Sequence, residues 1–387
     1  MDRRLSTVLL GVPLALMAAG SLRDLITPLV YWAAWLLWAA VIAVLLHPQR
    51  TAWAESRPPK CITVSYGLLL LGMSLSAVMN QDMVTAYQMF KIIVIAGIFL
   101  MMWWLVLYVD WSQLLTALYW VVSLIIISVV FTVVTDPQGQ WPVMGGRQGS
   151  VLASYGVLWK VGALFLPIFL ADLIVRPRAW AINTLMIVAS IYLLMIDGSR
   201  TAQLVLVATL IGLLFFTAWR SGRRALLQKL PWLLLVPVIF AGMQLFGNRT
   251  FSTRLGEGDP ARMKLLNEGV PQAIDCLPMG CGFGRTATDI GQGTPMPVHN
   301  AYLAALGDFG VLGMLGLMGF LLAACLPIRR VIRNPVRHNQ DYFVVAAAGS
   351  ALAYGMSLML NTFTTEMSEW GYVILMLAFA WAPAKAN

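Results

Sequence analysis

Twelve apolar stretches of roughly bilayer length run through this chain, and they constrain its fold more than any other feature. They fall near residues 5–20, 25–46, 61–79, 89–109, 114–135, 151–175, 182–197, 201–219, 230–247, 301–328, 342–360 and 371–384, the tenth starting at either 301 or 311. A membrane-spanning helix needs about 20 such residues. Charged residues make up only 11% of the chain, against about 25% in soluble domains. The expectation is an all-α polytopic membrane protein with about 12 transmembrane helices, residues 1–387 forming a single integral membrane domain. The first stretch follows "MDRRLS" in the manner of a signal peptide. No small-residue cleavage site leads into a soluble domain, and a second apolar stretch follows at once, so it reads as a retained helix.

The net charge of +9 raises nucleic acid or anionic lipid as partners. Its placement gives a simpler account. With the N-terminus inside, the outer loops hold Arg23, Arg147, Arg200, Arg249, Arg254, Arg262, Lys264 and Arg285. Lys91 and Lys160 fall within spans, and the other Lys and Arg lie in inner loops. That bias follows the positive-inside rule and puts both termini in the cytoplasm. No nucleic-acid partner is expected. Five of the outer cations share one loop, residues 248–300, which is too long for a passive connection.

Within that loop, "GDPARMKLLNEG" predicts a short helix capped by Asp259, begun by Pro260 and closed by Gly269. Met263, Leu265 and Leu266 would rest on the membrane surface, leaving Arg262 or Lys264 to point elsewhere. "PQAIDCLP" reads as a second short turn, followed by a glycine-rich coil. Cys276 and Cys281 would lie in an oxidising compartment, where a bridge and two free thiols are both open readings. Cys61 and Cys325 read as buried small apolar residues at cytoplasmic helix ends.

Few residues can carry chemistry. His47 and His338 read as solvated inner-loop residues, which leaves His299 as the only outer histidine. Its near-neutral pKa suits a general base. The plainer reading makes it interfacial, with Asn300 as the N-cap of the next helix. Asp197, Asp275, Asp289, Glu366 and Glu369 stay open as other bases. Arg147, Arg200, Arg254, Arg262 and Arg285 form a second constellation, because guanidinium forks match phosphate oxygens. For one arginine, snorkelling to headgroups is the better account. For a group on the disfavoured face it is weaker. "GSRTAQL" sets Arg200 at a helix start, where backbone N–H groups add donors for an anion. No P-loop, G-x-S-x-G elbow or Cys/His metal spacing occurs, so no metal and no cofactor are expected.

Three blocks together resemble the O-antigen ligase and polymerase superfamily of bacterial envelope glycosyltransferases. "GSRTAQL" is similar to its Ser-Arg segment, here Ser199 and Arg200. "RMKLLNEGVPQAIDCLPMGCGFG" is similar to its arginine, short helix and Pro-x-x-Gly-x-Gly pattern, with Arg262, Pro278, Gly280, Gly282 and Gly284. "HNAYLAALGDFGVLG" looks like its His-Asn-x-Tyr-Leu block, with His299, Asn300, Tyr302, Gly310 and Gly313. "GGRQGS" supplies an earlier loop arginine, Arg147. The likeness covers roughly residues 140–325.

The resemblance implies a GT-C-like fold whose active site is carried by a partly helical periplasmic loop at 248–300, in a bacterial inner membrane. It implies an undecaprenyl-pyrophosphate-linked glycan donor and an acceptor sugar, lipid A–core for a ligase or another lipid-linked glycan for a polymerase. Arg147, Arg200 and Arg262 would hold the pyrophosphate, with Arg254 and Arg285 as helpers. His299 would take the acceptor proton, supported by Asn300, Ser199, Tyr302, Gly280 and Gly282. Displacement would be metal-independent and inverting. A transporter of an anionic lipid-linked substrate is the alternative from another class. It calls for charges inside the spans, where only Lys91, Lys160 and Asp172 fall.

Overall fold

The computed structural model describes residues 2–20, 27–47, 56–136, 147–154, 156–220, 223–246, 260–288, 295–334 and 338–382. Thirteen α-helices appear among them. They are α1 (Arg3–Ala18), α2 (Pro28–Leu46), α3 (Lys60–Met79), α4 (Met83–Val106), α5 (Trp111–Thr135), α6 (Leu158–Val175) and α7 (Trp180–Asp197). There follow α8 (Arg200–Arg220), α9 (Arg223–Phe246), α10 (Pro260–Asp275), α11 (Ala301–Arg333), α12 (Asp341–Ser357) and α13 (Met367–Trp381). Each of the twelve apolar stretches is a helix, and α10 is the addition from the large loop. Among the described residues, nine helices are long and apolar enough to cross a membrane. The helix is the form in which an apolar segment satisfies its own backbone without water.

The core gathers around α6, which is buried along nearly its whole length. A helix apolar on all sides belongs at a bundle's centre. The helices α3 and α11 pack through small residues. A Cβ on Gly72 would meet the Gly313 amide at 2.5 Å, and one on Gly316 would meet the Leu69 amide at 2.4 Å. Dispersion between closely approaching backbones is what binds helices where lipid removes the hydrophobic drive.

Both ends of α6 open onto polar cavities. Its first turn (Trp159, Lys160) lines one and its last residues (Val175, Arg176) line the other. About 22 Å of helix rise separates them. Arg3, Asp110, Arg330 and Asp341 join Arg176 at one end. Arg147, Arg200 and Arg262 join Lys160 at the other. The two groups of charged residues thus lie at opposite ends of α6.

Two sequence expectations need correction. The loop helix does not stop at Gly269 but continues to Asp275, through Gly269 and Pro271. Gly269 serves a close approach instead, since a Cβ there would meet Val298 at 2.8 Å. "PQAIDC" is therefore its last turns and not a separate element. Cys325 is exposed, not buried. It lies inside the long apolar helix α11, on a side that faces outward.

Candidate active site

The cavity at the first turn of α6 has a volume of about 250 Å³. Three arginines from distant parts of the chain line it: Arg147 before α6, Arg200 at the start of α8 and Arg262 in the first turn of α10. Each is set by local structure. Arg147 is held by Asp197, whose carbonyl accepts from Nε at 2.8 Å and whose Oδ1 accepts from Nη2 at 2.7 Å. The other carboxylate oxygen accepts from the Gly156 and Trp159 amides at 2.6 and 3.2 Å. Asp197 is fully buried. All these contacts make it the support of Arg147 and the preceding loop, not a group open to substrate.

Arg200 follows a sharp reversal. Gly198 ends α7 in the left-handed conformation at φ 63°, which glycine adopts without a Cβ clash. The Ser199 hydroxyl then accepts from the Ala202 amide at 3.4 Å, near the N-terminus of α8. Arg200 is thereby fixed at the positive end of a helix dipole that faces the same cavity.

Lys160, read as a span charge, and Glu369, left open as another base, also reach this cavity. They line it and form an ion pair. Tyr354 donates its hydroxyl to the second Glu369 oxygen. A buried ammonium persists only with such a partner. Lys91 is treated alike, 2.5 Å from Glu366. Asp172 accepts from Arg176 at 2.6 Å and from Asn183 at 2.8 Å. The in-span charges are thus bound into fixed pairs rather than strung along one route.

His299 is not among the residues lining the arginine cavity. It is half-buried, its Nδ1 lying 3.2 Å from the Pro297 carbonyl. It follows a short antiparallel ladder, β1 (Ala287–Thr288) with β2 (Met296–Pro297). Val298, buried against Gly269, ties this ladder to α10. Arg262 lies two turns earlier on α10, so one helix positions both residues. Asn300 caps α11, its Oδ1 accepting from the Tyr302 and Leu303 amides, both at 3.1 Å. Tyr302 is buried and donates to the Gly355 carbonyl at 2.6 Å. It lines a second, apolar cavity that shares Thr362, Thr364 and Glu369 with the arginine cavity. The histidine block therefore reaches the arginines through that shared wall.

Gly280 and Gly282 belong to a different construction. At Gly310 the helix α11 opens, with φ 72° and ψ −168°. The loop after α10 fills the opening. Cys281 and Gly282 donate their amides to the Gly307 and Asp308 carbonyls at 2.8 and 3.1 Å, and Val311 donates to Pro278 at 3.1 Å. A Cβ on Gly280 would lie 2.4 Å from the Asp308 carbonyl, and one on Gly310 2.1 Å from that of Pro278. Only glycine fits either place. The buried Asp308 carboxylate accepts from Gly284 at 2.8 Å and from the Thr286 hydroxyl at 2.8 Å. Of "GDFG", the family-like block singles out Gly310 and not Asp308. Cys276 and Cys281 are joined as a disulfide, which closes the loop on the end of α10.

Arg285 is exposed and lies apart from the other three, in the field of Asp82. Asp82 caps α4. Burial alone would raise its carboxyl. The Thr85 hydroxyl, the Val84 and Thr85 amides and the charge of Arg285 outweigh that and hold it below the ordinary carboxylate range. Arg254 and Asp289 lie outside the described residues. Among the described residues no group of three or more His, Cys, Asp or Glu is arranged to hold a metal ion.

Residues 185–318 match the family model described as O-Antigen ligase. Over that stretch, about a third of the chain, the protein is similar to the O-antigen ligase family. The match runs from α7 into α11 and contains Arg200, Arg262, His299 and Asn300, while Arg147, Lys160 and Glu369 fall outside it. It supports a glycosyltransferase-type enzyme in O-antigen or polysaccharide processing. No curated protein matches the chain.

Proposed function

We propose that this protein transfers a glycan from an undecaprenyl-pyrophosphate carrier to an acceptor sugar at the periplasmic face of a bacterial inner membrane, as an O-antigen ligase acting on lipid A–core. The observation that carries the reading is the convergence of Arg147, Arg200 and Arg262 on one cavity from three separate segments. Guanidinium groups and the N-terminus of α8 suit a diphosphate. The same groups stabilise charge that grows on the diphosphate as the glycosidic bond breaks. The leaving group is already activated, so neither a nucleotide nor its hydrolysis is called for.

In this mechanism His299 takes the proton of the attacking acceptor hydroxyl. Direct displacement at the anomeric carbon inverts it. Asn300 fixes the start of α11 and so the backbone on which His299 sits. Arg285 has no place at this centre. The disulfide suits an oxidising outer compartment, and the face bearing the arginines is the one that the charge bias puts outside.

The test is transfer by purified protein in vesicles, supplied with lipid-linked glycan and acceptor. Arg262→Ala and His299→Ala should each lose most transfer, and wild-type rates in either would remove that residue from the mechanism. Inhibition by a chelator would overturn the metal-free scheme. A ladder of lengthening lipid-linked chains in place of a single shift of the core acceptor would make the enzyme a repeat-unit polymerase.

A further inference from the structure

The arginine cavity has two kinds of wall. One is cationic, formed by Arg147, Lys160, Arg200 and Arg262. The other comes from the turn between α12 and α13. Asn361, Thr362, Thr364 and Glu369 line it with an amide, two hydroxyls and a carboxylate. These lie beyond residues 185–318, the part shared with the family. Phosphate calls for the first wall, and the amide and hydroxyls of the second can donate to it as well, but the Glu369 carboxylate repels it. A sugar ring does use such groups: its hydroxyls both donate and accept, as amides, hydroxyls and carboxylates require. Trp159 also lines the cavity, and an indole surface packs against the C–H face of a ring.

Glu369 is built for that task. Lys160 and Tyr354 donate to its two oxygens, and Trp159 stacks on Tyr354 with 5.9 Å between ring centroids. Its side chain nevertheless stays 27% exposed, and each oxygen has a further lone pair to offer. A carboxylate both fixed and reachable can distinguish where a hydroxyl points.

Size limits what is read. At about 250 Å³ the cavity falls below the usual ~300–1,000 Å³ of small-molecule sites. It has room for a diphosphate with the sugar bonded to it, and not for the rest of a glycan or a lipid tail. That sugar is tethered to the phosphate, so a wall beside the arginines meets it before any other part of the donor. Resting on the function proposed above, we infer that Asn361, Thr362 and Glu369 read the hydroxyl pattern of the first sugar on the donor diphosphate. The arginines hold any lipid-diphosphate donor alike, and this turn sets which one reacts.

The experiment compares kcat/KM for lipid-diphosphate donors that differ in configuration at one ring hydroxyl of the first sugar, each hydroxyl taken in turn. The wild type should prefer one epimer. Thr362→Val, nearly isosteric and so expected to fold, and Glu369→Gln should each shrink that preference about tenfold or more, mostly through the favoured donor. Arg262→Ala should lower both donors by the same factor. An active wild type indifferent to every epimer, or a Thr362→Val variant that lowers both donors equally, overturns the inference and leaves the transferase reading intact. A wild type that transfers none of the donors overturns both.

Discussion

The two polar cavities at the ends of α6 contain similar residues in different electrical company. The one at its C-terminal end is about 790 Å³ and is lined by Arg3, Arg176 and Arg330 together with Asp110 and Asp341. Its cations meet aspartates: Arg3 with Asp110 at 3.8 Å, and Arg176 with Asp172 at 2.6 Å. Nearby, Arg220 pairs with Asp341. The arginine cavity is a third of that size, and four cationic side chains line it with one carboxylate. Even with Asp197 behind Arg147, cations outnumber acids among the residues named. A narrow cavity on which cations converge from separate segments suits an anion better than a wide one. Counting arginines would not separate the two cavities; the segments that supply them and the volume around them do.

The sharpest way to break this contrast is to remove one arginine from each face. Arg262→Ala should cut transfer by about 10²–10³-fold, the usual effect of losing one donor to developing charge. Arg3→Ala should leave transfer within about twofold, because an exposed ion pair contributes little. Equal losses would mean that the outer cluster is general scaffolding. Next in size is Lys160→Ala, which leaves Glu369 without its counter-charge and should cost about 3 kcal/mol of stability, read from unfolding in detergent. The double variant Lys160→Met with Glu369→Leu should recover most of that stability without recovering transfer. Recovery of both would make the pair purely structural.

Asn300→Ala should cost about 1 kcal/mol through the lost cap on α11. If the cap also places His299, transfer should fall by more than thermal stability alone explains. The smallest effect tests what the faces share. Asp82, before α4, and Asp110, before α5, both cap helices, and both carboxyls sit below the ordinary range. At Asp110 burial opposes this, but the Ser112 hydroxyl, the Gln113 amide and Arg3 prevail. A depressed carboxylate adds stability that is present above its unfolded value, ~3.9, and is lost as pH falls through the folded value. Melting followed from neutral pH into that acid range should lose this contribution in the wild type. Asp82→Asn and Asp110→Asn should each flatten the curve by similar amounts.

Much of this was legible in the sequence because membrane helices announce themselves by length and hydropathy. Twelve stretches became twelve helices. The Asn300 cap was legible as well, since an amide before an apolar run has a local role that needs no tertiary partner. Gly269 misled for the opposite reason. Its meaning depends on Val298, a residue 29 positions later that packs on it. Lys160 read as an isolated span charge and Glu369 as an alternative base because their pairing spans 209 positions. Arg285 looked like a fifth phosphate ligand because its outer-loop setting was visible and its neighbour Asp82 was not. Asp308 was missed because its hydrogen bonds go to a loop whose course no local pattern reveals.

The opened turn of α11 has a consequence for the order in which the molecule can be made. The loop that fills it, residues 276–284, leaves the ribosome before α11 exists. Its amides have no helix carbonyls to meet until residues 307–311 have been synthesised and placed. Part of the same junction is older: Ser76 and Asn80, at the end of α3, bond the Asp308 and Gly280 carbonyls at 2.6 and 2.9 Å. One early helix thus waits with half of a socket, and one late helix brings the other half. The helix bearing Arg262 and the ladder that His299 follows are carried by what that socket grips, so the site is completed among the last steps of assembly.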